Sequence, residues 1–403
     1  MRFLTAGESH GQALVAIVDG VPAGLSLSVE DLARDLARRQ LGYGRGRRMA
    51  IERDAAEILS GVRHGETLGS PIALRIANRD WPNWLHTMSV AADPAADARG
   101  ANRAAVTRPR PGHADLSGGL KYNRSDLRDV LERASARETA PRVAVGAIAK
   151  LLLRQVGIEI ASHVTEIGGA ALSETQQVPF ASIAALAEDD EVRCVDGAVA
   201  AAMKQAIDRA REAGDTVGGA FEVVAHNVPV GLGSHVQWDR KLDGKLAQAL
   251  MSIPAIKAVG LGLGESVGHL PGSQVHDEIV LAGAQASGTL PGLSRPTNRA
   301  GGLEGGVTNG EDIRVRAWMK PISTLMKPLR SVDLATMAEA AATIERSDVC
   351  AVPAAAVVGE AMVAITLADA LIEKFGGDTV AELVSAWRRF NEAVAARLAG
   401  GAR

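Results

Sequence analysis

Two histidines of the chain lie in settings that suit acid–base chemistry. His113 follows a Pro-Gly pair, and the carboxylate of Asp115 comes two residues later. His10 lies among small residues in the segment Gly7–Gly11, at the end of a predicted strand, where its side chain is open to a ligand. Because histidine titrates near neutral pH, either ring can donate or accept a proton. For His10 the plainer alternative is a loop histidine that is hydrogen-bonded for structural reasons.

Two arginine-rich stretches predict the binding of small anions. Seven arginines occur between residues 34 and 53, with glycines alternating among them at positions 42, 44 and 46. Guanidinium groups bind phosphate or carboxylate in a bidentate manner, and glycines allow tight turns around such ligands. A second group, Arg133, Arg137 and Arg142, flanks the predicted start of a helix, where free N–H groups also attract anions. The alternative for this second group is a surface helix with solvated arginines.

Local sequence signals predict the helices and strands that position these residues. Ser28–Asp31 reads as a capping box that opens an amphipathic helix through about Arg39. Ser135 and Glu138 have the same spacing, but Pro141 favours a helix start near Thr139, since an interior proline costs about 3 kcal/mol. Further helices are predicted at Ser125–Glu132, Gly197–Ala213 and Leu242–Met251, and strands at Phe3–Thr5, Leu14–Asp19, Ile58–Val62, Ile72–Ile76, Glu159–Ile167, Ala220–His226 and Ile313–Met319.

The segment Ala351–Leu371 is strongly apolar, yet Pro353, Glu360 and Asp369 interrupt it. We therefore predict a buried helix there and no membrane span. Asp348 precedes this helix and is a good candidate for its N-cap. That structural role is the plain alternative to any chemical role for Asp348.

Composition limits the class of function. The 403 residues are 47% hydrophobic, which is ample for a large core, and the net charge is −3. An acidic chain with 3% aromatic residues does not favour nucleic acid, because single-stranded nucleic acids are bound largely by aromatic stacking. Cys194 and Cys350 form no ligand or disulfide pattern, so we expect a reducing, cytoplasmic location and neither a metal site nor a catalytic thiol. The N-terminus lacks the apolar stretch of a signal peptide.

Two glycine-rich stretches permit different interpretations. Gly260–Gly264 resembles a dinucleotide-binding loop, but no clear helix follows it, so a Rossmann unit is poorly supported. Asn298–Gly310 is too polar for a core segment, and glycines at this density let the backbone lie flat against a planar ligand or a phosphate.

The combination and order of the motifs closely resemble the chorismate synthase family. The segments that carry the resemblance are GESHG, GYGRGRRM, RPGHADLSGGLKY, RASARETAPRVAVGA, GDTVGG, HDE, NRAGGLEGGVTNG, KPIST and RSDVCAVPAA. They run from residue 5 to about residue 376, and only the tail, about 377–403, lies outside. The resemblance implies an α+β fold, a β-α-β sandwich of antiparallel sheets around a helical layer, assembled as a homotetramer. Because the motifs must converge on one site, we expect a single domain over residues 1–403.

The resemblance also implies the reaction. The family eliminates phosphate from 5-enolpyruvylshikimate-3-phosphate in a 1,4-anti sense and forms chorismate in the shikimate pathway. Reduced FMN is required, although the overall reaction is redox-neutral. Substrate and FMN together carry two phosphates and two carboxylates, which accounts for arginine clusters in an acidic protein.

Site residues follow from the resemblance position by position. His10 is expected to assist departure of the phosphate, His113 to protonate the reduced flavin, and Asp348 to act with flavin N5 on the ring proton. Arg39, Arg45 and Arg48 are expected to bind substrate, and the first two also match the family's NADP contacts. The expected FMN contacts are Arg133, Ala134, Ser135, Ala255, Gly305, Lys320, Pro321, Ile322, Ser323, Thr324 and Arg346.

One departure from the family pattern and two rival functions remain. Pro254 stands where the family usually has glutamine, so one side-chain contact to the flavin is lost. The rivals are an anion- or RNA-binding module without catalysis and an ordinary flavin or nicotinamide oxidoreductase. The chain has no recognisable reductase domain, so we expect an external flavin reductase, with NADPH as at most an indirect reductant.

Overall fold

The computed structural model describes residues 1–46, 53–92, 105–173, 177–283, 288–345 and 347–399. These residues form an α+β fold. The strands are β1 (Arg2–Ala6), β2 (Ala13–Asp19), β3 (Ala56–Ile58), β4 (Val62–Arg63), β5 (Glu66–Thr67), β6 (Ile72–Ala77), β7 (Glu159–Ile167), β8 (Ala170–Ala171), β9 (Gly219–His226), β10 (Ile256–Leu261), β11 (Val280–Leu281), β12 (Leu293–Ser294), β13 (Leu303–Glu304), β14 (Val307–Thr308), β15 (Ile313–Met319), β16 (Arg330–Asp333) and β17 (Ala338–Ala341).

The helices are α1 (Val29–Gln40), α2 (Trp81–Trp84), α3 (Asp115–Lys121), α4 (Arg128–Leu131), α5 (Thr139–Arg154), α6 (Phe180–Ala184), α7 (Gly197–Glu212), α8 (Leu242–Met251), α9 (Val352–Phe375) and α10 (Val380–Ala399).

Two antiparallel sheets provide the framework. The first has the strand order β1-β2-β6-β3, and the second has the order β10-β15-β9-β7-β8. Alternation along β2 buries Leu14, Ala16 and Val18 while Ile17 stays 47% exposed, so the first sheet presents one face to the core.

Helices α5 and α9 pack against each other, and together they contact both sheets: α5 contacts β2, β6 and β7, and α9 contacts β7 and β9. Close approach here requires glycine. A Cβ on Gly146 would lie 2.2 Å from the Cβ of Ala361, and one on Gly359 would lie 2.5 Å from the ring of Phe221. One hydrophobic core therefore runs continuously from the first sheet through the helices to the second.

Helix α9 is long and apolar enough to cross a membrane, but 89% of its most apolar window is buried inside the protein. Its Glu360 is fully buried and accepts two bonds from Arg38 (both 2.8 Å), one from Lys150 (2.6 Å) and one from Ser162 (2.6 Å). Burial alone would raise the pKa of Glu360, but the charges of Lys150 and Arg38 outweigh it and hold the pKa well below its ordinary value. This network connects α1, α5, α9 and β7.

Most of the predicted elements are confirmed. β7, α8 and β15 have the predicted bounds, the Ser28–Asp31 capping box is present, and α5 begins at Thr139. Pro141 therefore lies in the first turn of α5, where no intrahelical N–H bond is lost.

Several local predictions are wrong. Asp348 does not cap α9, because the N-cap is Ala351. Ser135 caps only a short 3₁₀ turn, Ala136–Glu138, through the N–H of Arg137. The predicted strand Ile58–Val62 is interrupted by a turn at Gly61 (φ 81°) that separates β3 from β4, and the helical run Ser125–Glu132 reduces to α4.

Candidate active site

The loop that carries His10 is fixed by residues from two distant parts of the chain. The N–H of Ser9 donates to the carbonyl of Glu132 (3.0 Å), and Arg137 donates to the carbonyl of Ser9 (2.9 Å). Asn78, which follows β6, donates to the carbonyl of Gly11 (2.8 Å). The first sheet and the α4–α5 connection therefore hold this loop in one conformation.

His10 is paired with a buried carboxylate. Its Nδ1 lies 2.8 Å from Oε2 of Glu132, and its backbone N–H donates to the same oxygen at 2.9 Å. The His10 side chain is 14% exposed, whereas that of Glu132 is 0% exposed. Burial would raise the pKa of Glu132, but the bonds from His10 and the charge of Arg128 (3.3 Å) lower it. Since Nδ1–H donates to this carboxylate, Nε2 is the nitrogen that can exchange a proton with a ligand.

His113 has the same arrangement. Its Nδ1 lies 2.6 Å from Oδ1 of the fully buried Asp115, and Arg110 donates to both oxygens of that carboxylate (2.8 and 3.1 Å). Burial opposes ionisation of Asp115, but the bonds from His113 and Arg110 prevail, so its pKa lies well below the ordinary value. Asp115 therefore remains a carboxylate that orients His113.

The segment Lys320–Thr324 lies beside the His113 loop. Lys320 Nζ donates to the carbonyl of Gly112 (2.7 Å), and Arg110 donates to Oγ1 of Thr324 (3.0 Å). The N–H of Lys320 donates to the carbonyl of Ala255 (2.9 Å), whose φ of 69° is unusual for a residue with a side chain. Burial and the nearby Lys257 lower the pKa of Lys320. The structure thus brings Ala255, the 320–324 segment and the His113 loop together.

A buried cation–anion cluster lies next to the His10 loop, which it contacts through Arg137. Asp54 accepts from Arg39 (2.5 Å) and from Arg137 (3.4 Å), and Arg39 also reaches Oγ1 of Thr139 (3.4 Å). Arg39 is 4% exposed, and its Nε has no hydrogen bond among the residues that the structure describes. One carboxylate shared by two guanidinium groups leaves a local excess of positive charge, which suits an anionic ligand.

Arg45 and Asp348 form an ion pair. Nη1 of Arg45 lies 2.6 Å from Oδ2 of Asp348, and the N–H of Gly46 donates to Oδ1 (2.6 Å). Burial and the nearby Arg39 lower the pKa of Arg45, while Asp348 opposes them. Burial raises the pKa of the adjacent Cys350 thiol to about 11, so it stays protonated at neutral pH. The side chain of Asp348 thus fixes the Gly-Arg loop, residues 42–46, and it does not cap α9 because that helix begins only at Val352.

The arginines near the start of α5 bind protein groups. Arg133 donates to the carbonyls of Thr5 (3.0 Å) and Gly7 (3.1 Å), and Arg142 pairs with Glu138 (2.9 Å). Arg133 and Arg142 therefore do not form the open anion site that was predicted at this helix start. Ser135 Oγ donates to Oγ of Ser9 (3.2 Å), which places the segment Arg133–Ser135 against the His10 loop.

Gly305 is apart from the other predicted site residues. It lies in the β13–β14 turn, which contacts Lys241 at the start of α8, whereas Ala255 follows the end of α8. Ten helical residues separate these ends by roughly 15 Å. Arg48 and Arg346, predicted to contact substrate and FMN, lie outside the described residues.

Sequence reasoning missed the partners of the two histidines. Asp115 was visible as a neighbour of His113, but nothing in the sequence pairs His10 with Glu132, since the two are separated by more than a hundred residues. Asp54 and Asn78 were also missed, because each is an isolated polar residue next to a strand. Arg110 had a signal, its spacing of five residues from Asp115.

The arrangement can hold and transfer protons next to an anion. Each histidine has one nitrogen fixed by a carboxylate and one directed elsewhere, and cations from α1, the Gly-Arg loop and the 320–324 segment lie nearby. This combination fits a reaction in which an anionic group departs from the substrate.

Comparison with known proteins agrees with this chemistry. A family model described as chorismate synthase matches residues 1–372. A protein of Geobacter sulfurreducens named chorismate synthase is 58% identical over 384 residues, covering 95% of this chain and 96% of the relative. One of Moorella thermoacetica with the same name is 58% identical over 393 residues, covering 97% and 99%. A crystal structure of a chorismate synthase matches with a TM-score of 0.76 and 45% identity, covering 98% of both chains.

Proposed function

Because the chain belongs to the chorismate synthase family, we propose that His10 and His113, each held by a buried carboxylate, handle protons during the elimination of phosphate that forms chorismate. The enzyme is a lyase of the shikimate pathway. In the proposed reaction, 5-enolpyruvylshikimate-3-phosphate loses phosphate and one ring proton. This is an elimination, so the substrate undergoes no net oxidation. The observation that carries the proposal is that both histidines direct Nδ1 at a carboxylate that is 0% exposed.

We propose reduced FMN as the cofactor, and the residues present fit it. Lys320 and Lys257 provide positive charge near the His113 loop, and the backbone N–H groups of residues 322–324 come directly after Lys320 and Pro321. When bound, the reduced flavin supplies electron density that assists C–O cleavage and recovers it afterwards.

His10 acts on the phosphate side. With Nδ1 fixed on Glu132, the ring presents Nε2, and a proton held there can pass to an oxygen of the departing phosphate. Arg39, from the adjacent buried cluster, and Arg45, from the Gly-Arg loop, counter the negative charge of the phosphate as it leaves. Arg39 and Arg45 are also the proposed contacts for NADP.

His113 and Asp348 act on the cofactor side. His113 holds a proton at Nε2 while Asp115 fixes the opposite nitrogen, and Lys320 anchors the loop through Gly112. Asp348 is the carboxylate proposed to help remove the ring proton. Its ion pair with Arg45 links the residue that binds substrate to the residue that accepts the proton.

The remaining features are proposed from the family. They comprise a single domain with a β-α-β sandwich, supported by the contact of α5 with both sheets, a homotetrameric assembly and a cytoplasmic location. An external flavin reductase is proposed on the same basis.

Anaerobic turnover tests the function. With photoreduced FMN and excess substrate, inorganic phosphate and chorismate are expected in a 1:1 ratio while the flavin absorbance stays that of the reduced form. Flavin oxidation in proportion to product would instead show an oxidoreductase. A second reaction with NADPH and oxidised FMN as the only reductant system should give no turnover until a flavin reductase is added.

A further inference from the structure

The indole of Trp84 stacks on the imidazole of His10. The ring centroids are 3.8 Å apart and the planes differ by 22°. Trp84 ends the single-turn helix α2, and its Nε1–H donates to Oδ2 of Asp80 (2.9 Å), so the indole cannot turn away without losing that bond. Asp80 in turn donates its N–H to Asn78 (3.0 Å), which also holds the His10 loop at Gly11.

The stack supplies a constraint that the carboxylate does not. The bond from Nδ1 to Glu132 fixes the direction of one edge of the imidazole, but the ring can still rotate about that bond. A flat partner at van der Waals distance fixes the plane of the ring. The edge and the plane together determine where Nε2 lies.

One cation connects the two partners of His10. Arg128 lies 3.3 Å from Glu132, and its guanidinium carbon is 5.5 Å from the centroid of the Trp84 ring. Glu132, at the C-cap of α4, contacts His10 directly, while Arg128 of α4 and Asp80 contact its partners. Since Arg128 contacts both partners, it holds the indole of Trp84 and the carboxylate of Glu132 in fixed positions relative to each other.

We propose that Trp84 is a positioning residue for His10, and that Trp84 and Glu132 form a clamp that aims Nε2 at the departing phosphate. The inference rests on the proposed role of His10. It assigns to Trp84 of α2 an effect on turnover that acts only through the orientation of His10, since Trp84 itself exchanges no proton. A displacement of about 1 Å in a reacting group can lower a rate by about 100-fold, so the ring plane matters for turnover.

The test compares Trp84→Ala and Trp84→Phe with the matched control Trp238→Ala, which removes a tryptophan that is 79% exposed and lies outside the site. With reduced FMN and saturating substrate, Trp84→Ala should lower kcat by roughly 10–100-fold with KM within about threefold of wild type. Trp84→Phe should recover most of the loss, because a phenyl ring can still stack, and Trp238→Ala should match wild type. Wild-type kcat in Trp84→Ala would overturn the proposal, as would a Phe variant no better than the Ala variant.

A fluorescence measurement tests the contact without any turnover. The emission of Trp84 is the difference between wild type and Trp84→Phe, and an imidazolium in contact with indole quenches it. This difference should be larger in a His10→Ala background, which removes the quencher. An equal difference in the two backgrounds would show that the stack does not exist. Full turnover by His10→Ala, together with quenching of Trp84 in the wild type, would instead refute the proposed role of His10 alone.

Discussion

The guanidinium of Arg45 lies 2.6 Å from the carboxylate of Asp348, so a residue expected to bind substrate and one expected to move a proton neutralise each other. An anionic substrate that approaches Arg45 competes with Asp348 for the same guanidinium.

Asp348→Asn should lower turnover by about 100-fold or more, because an amide cannot accept the proton. Its oxygen can still accept the N–H bond of Gly46, so FMN affinity should stay near that of wild type, whereas the melting temperature should fall because the largely buried Arg45 loses its counter-charge. Steady-state kinetics under anaerobic conditions and thermal unfolding measure both. A fully active Asn variant would reduce Asp348 to a residue that fixes the loop. Because Ala351 is the N-cap of α9, Asp348→Ala should not show the stability loss of a removed cap.

Arg45→Ala should weaken substrate binding by about 1.5–3 kcal/mol, the contribution of a charge-assisted contact, while FMN binding changes much less. Calorimetric titration of the protein with each ligand measures the two affinities separately. Arg34→Ala is the matched control, since Arg34 lies in the same arginine-rich stretch but forms an exposed pair with Glu188. Equal losses for substrate and FMN would contradict the assignment of Arg45 to the substrate side.

His10→Ala and His113→Ala should each lower kcat by roughly 10–10⁴-fold, the range for removal of a positioned acid or base. His269→Ala should leave kcat unchanged, because His269 is exposed in the turn after β10. Rates are compared at one pH with saturating reduced FMN. Wild-type rates in both variants would show that these histidines are structural.

The unfolding free energy should fall as the pH is lowered. The pKa of Glu360 lies well below its ordinary value of 4.5 in the folded protein, and those of Glu132 and Asp115 are also lowered. A carboxyl whose folded pKa is lowered stabilises the protein above the unfolded pKa and loses that contribution as the pH falls towards the folded pKa. Denaturant unfolding at pH 7, 5 and 4 should therefore show a loss that begins below about pH 5.

Glu360→Gln tests how much this buried network contributes to stability, separately from surface charges. The substitution should destabilise the protein by about 3–5 kcal/mol at pH 7, because Arg38 and Lys150 lose their buried partner. It should also make the acid dependence of the unfolding free energy shallower. The control Glu373→Gln removes a partly exposed carboxylate and should change stability by less than about 1 kcal/mol. Equal effects of the two substitutions would contradict a special role for the buried network.

The sequence by itself determined much of this protein. Periodicity located β7, α8 and β15, because the pattern of apolar residues follows directly from the geometry of a strand or a helix with one buried face. The proline at position 141 placed the start of α5, since its ring excludes a backbone hydrogen bond. The order of the motifs identified the family, which the family model and the relatives confirm.

Only the tertiary structure decided which side chains become partners. Asp348 has the local pattern of a helix cap, yet α9 begins only at Val352, and the carboxylate of Asp348 instead contacts Arg45 and the N–H of Gly46, which lie about 300 residues earlier in the chain. Glu132 has the local pattern of a helical surface residue, yet it is buried against His10. Such choices depend on charge and burial from segments far away in the chain, and local propensity carries no information about them.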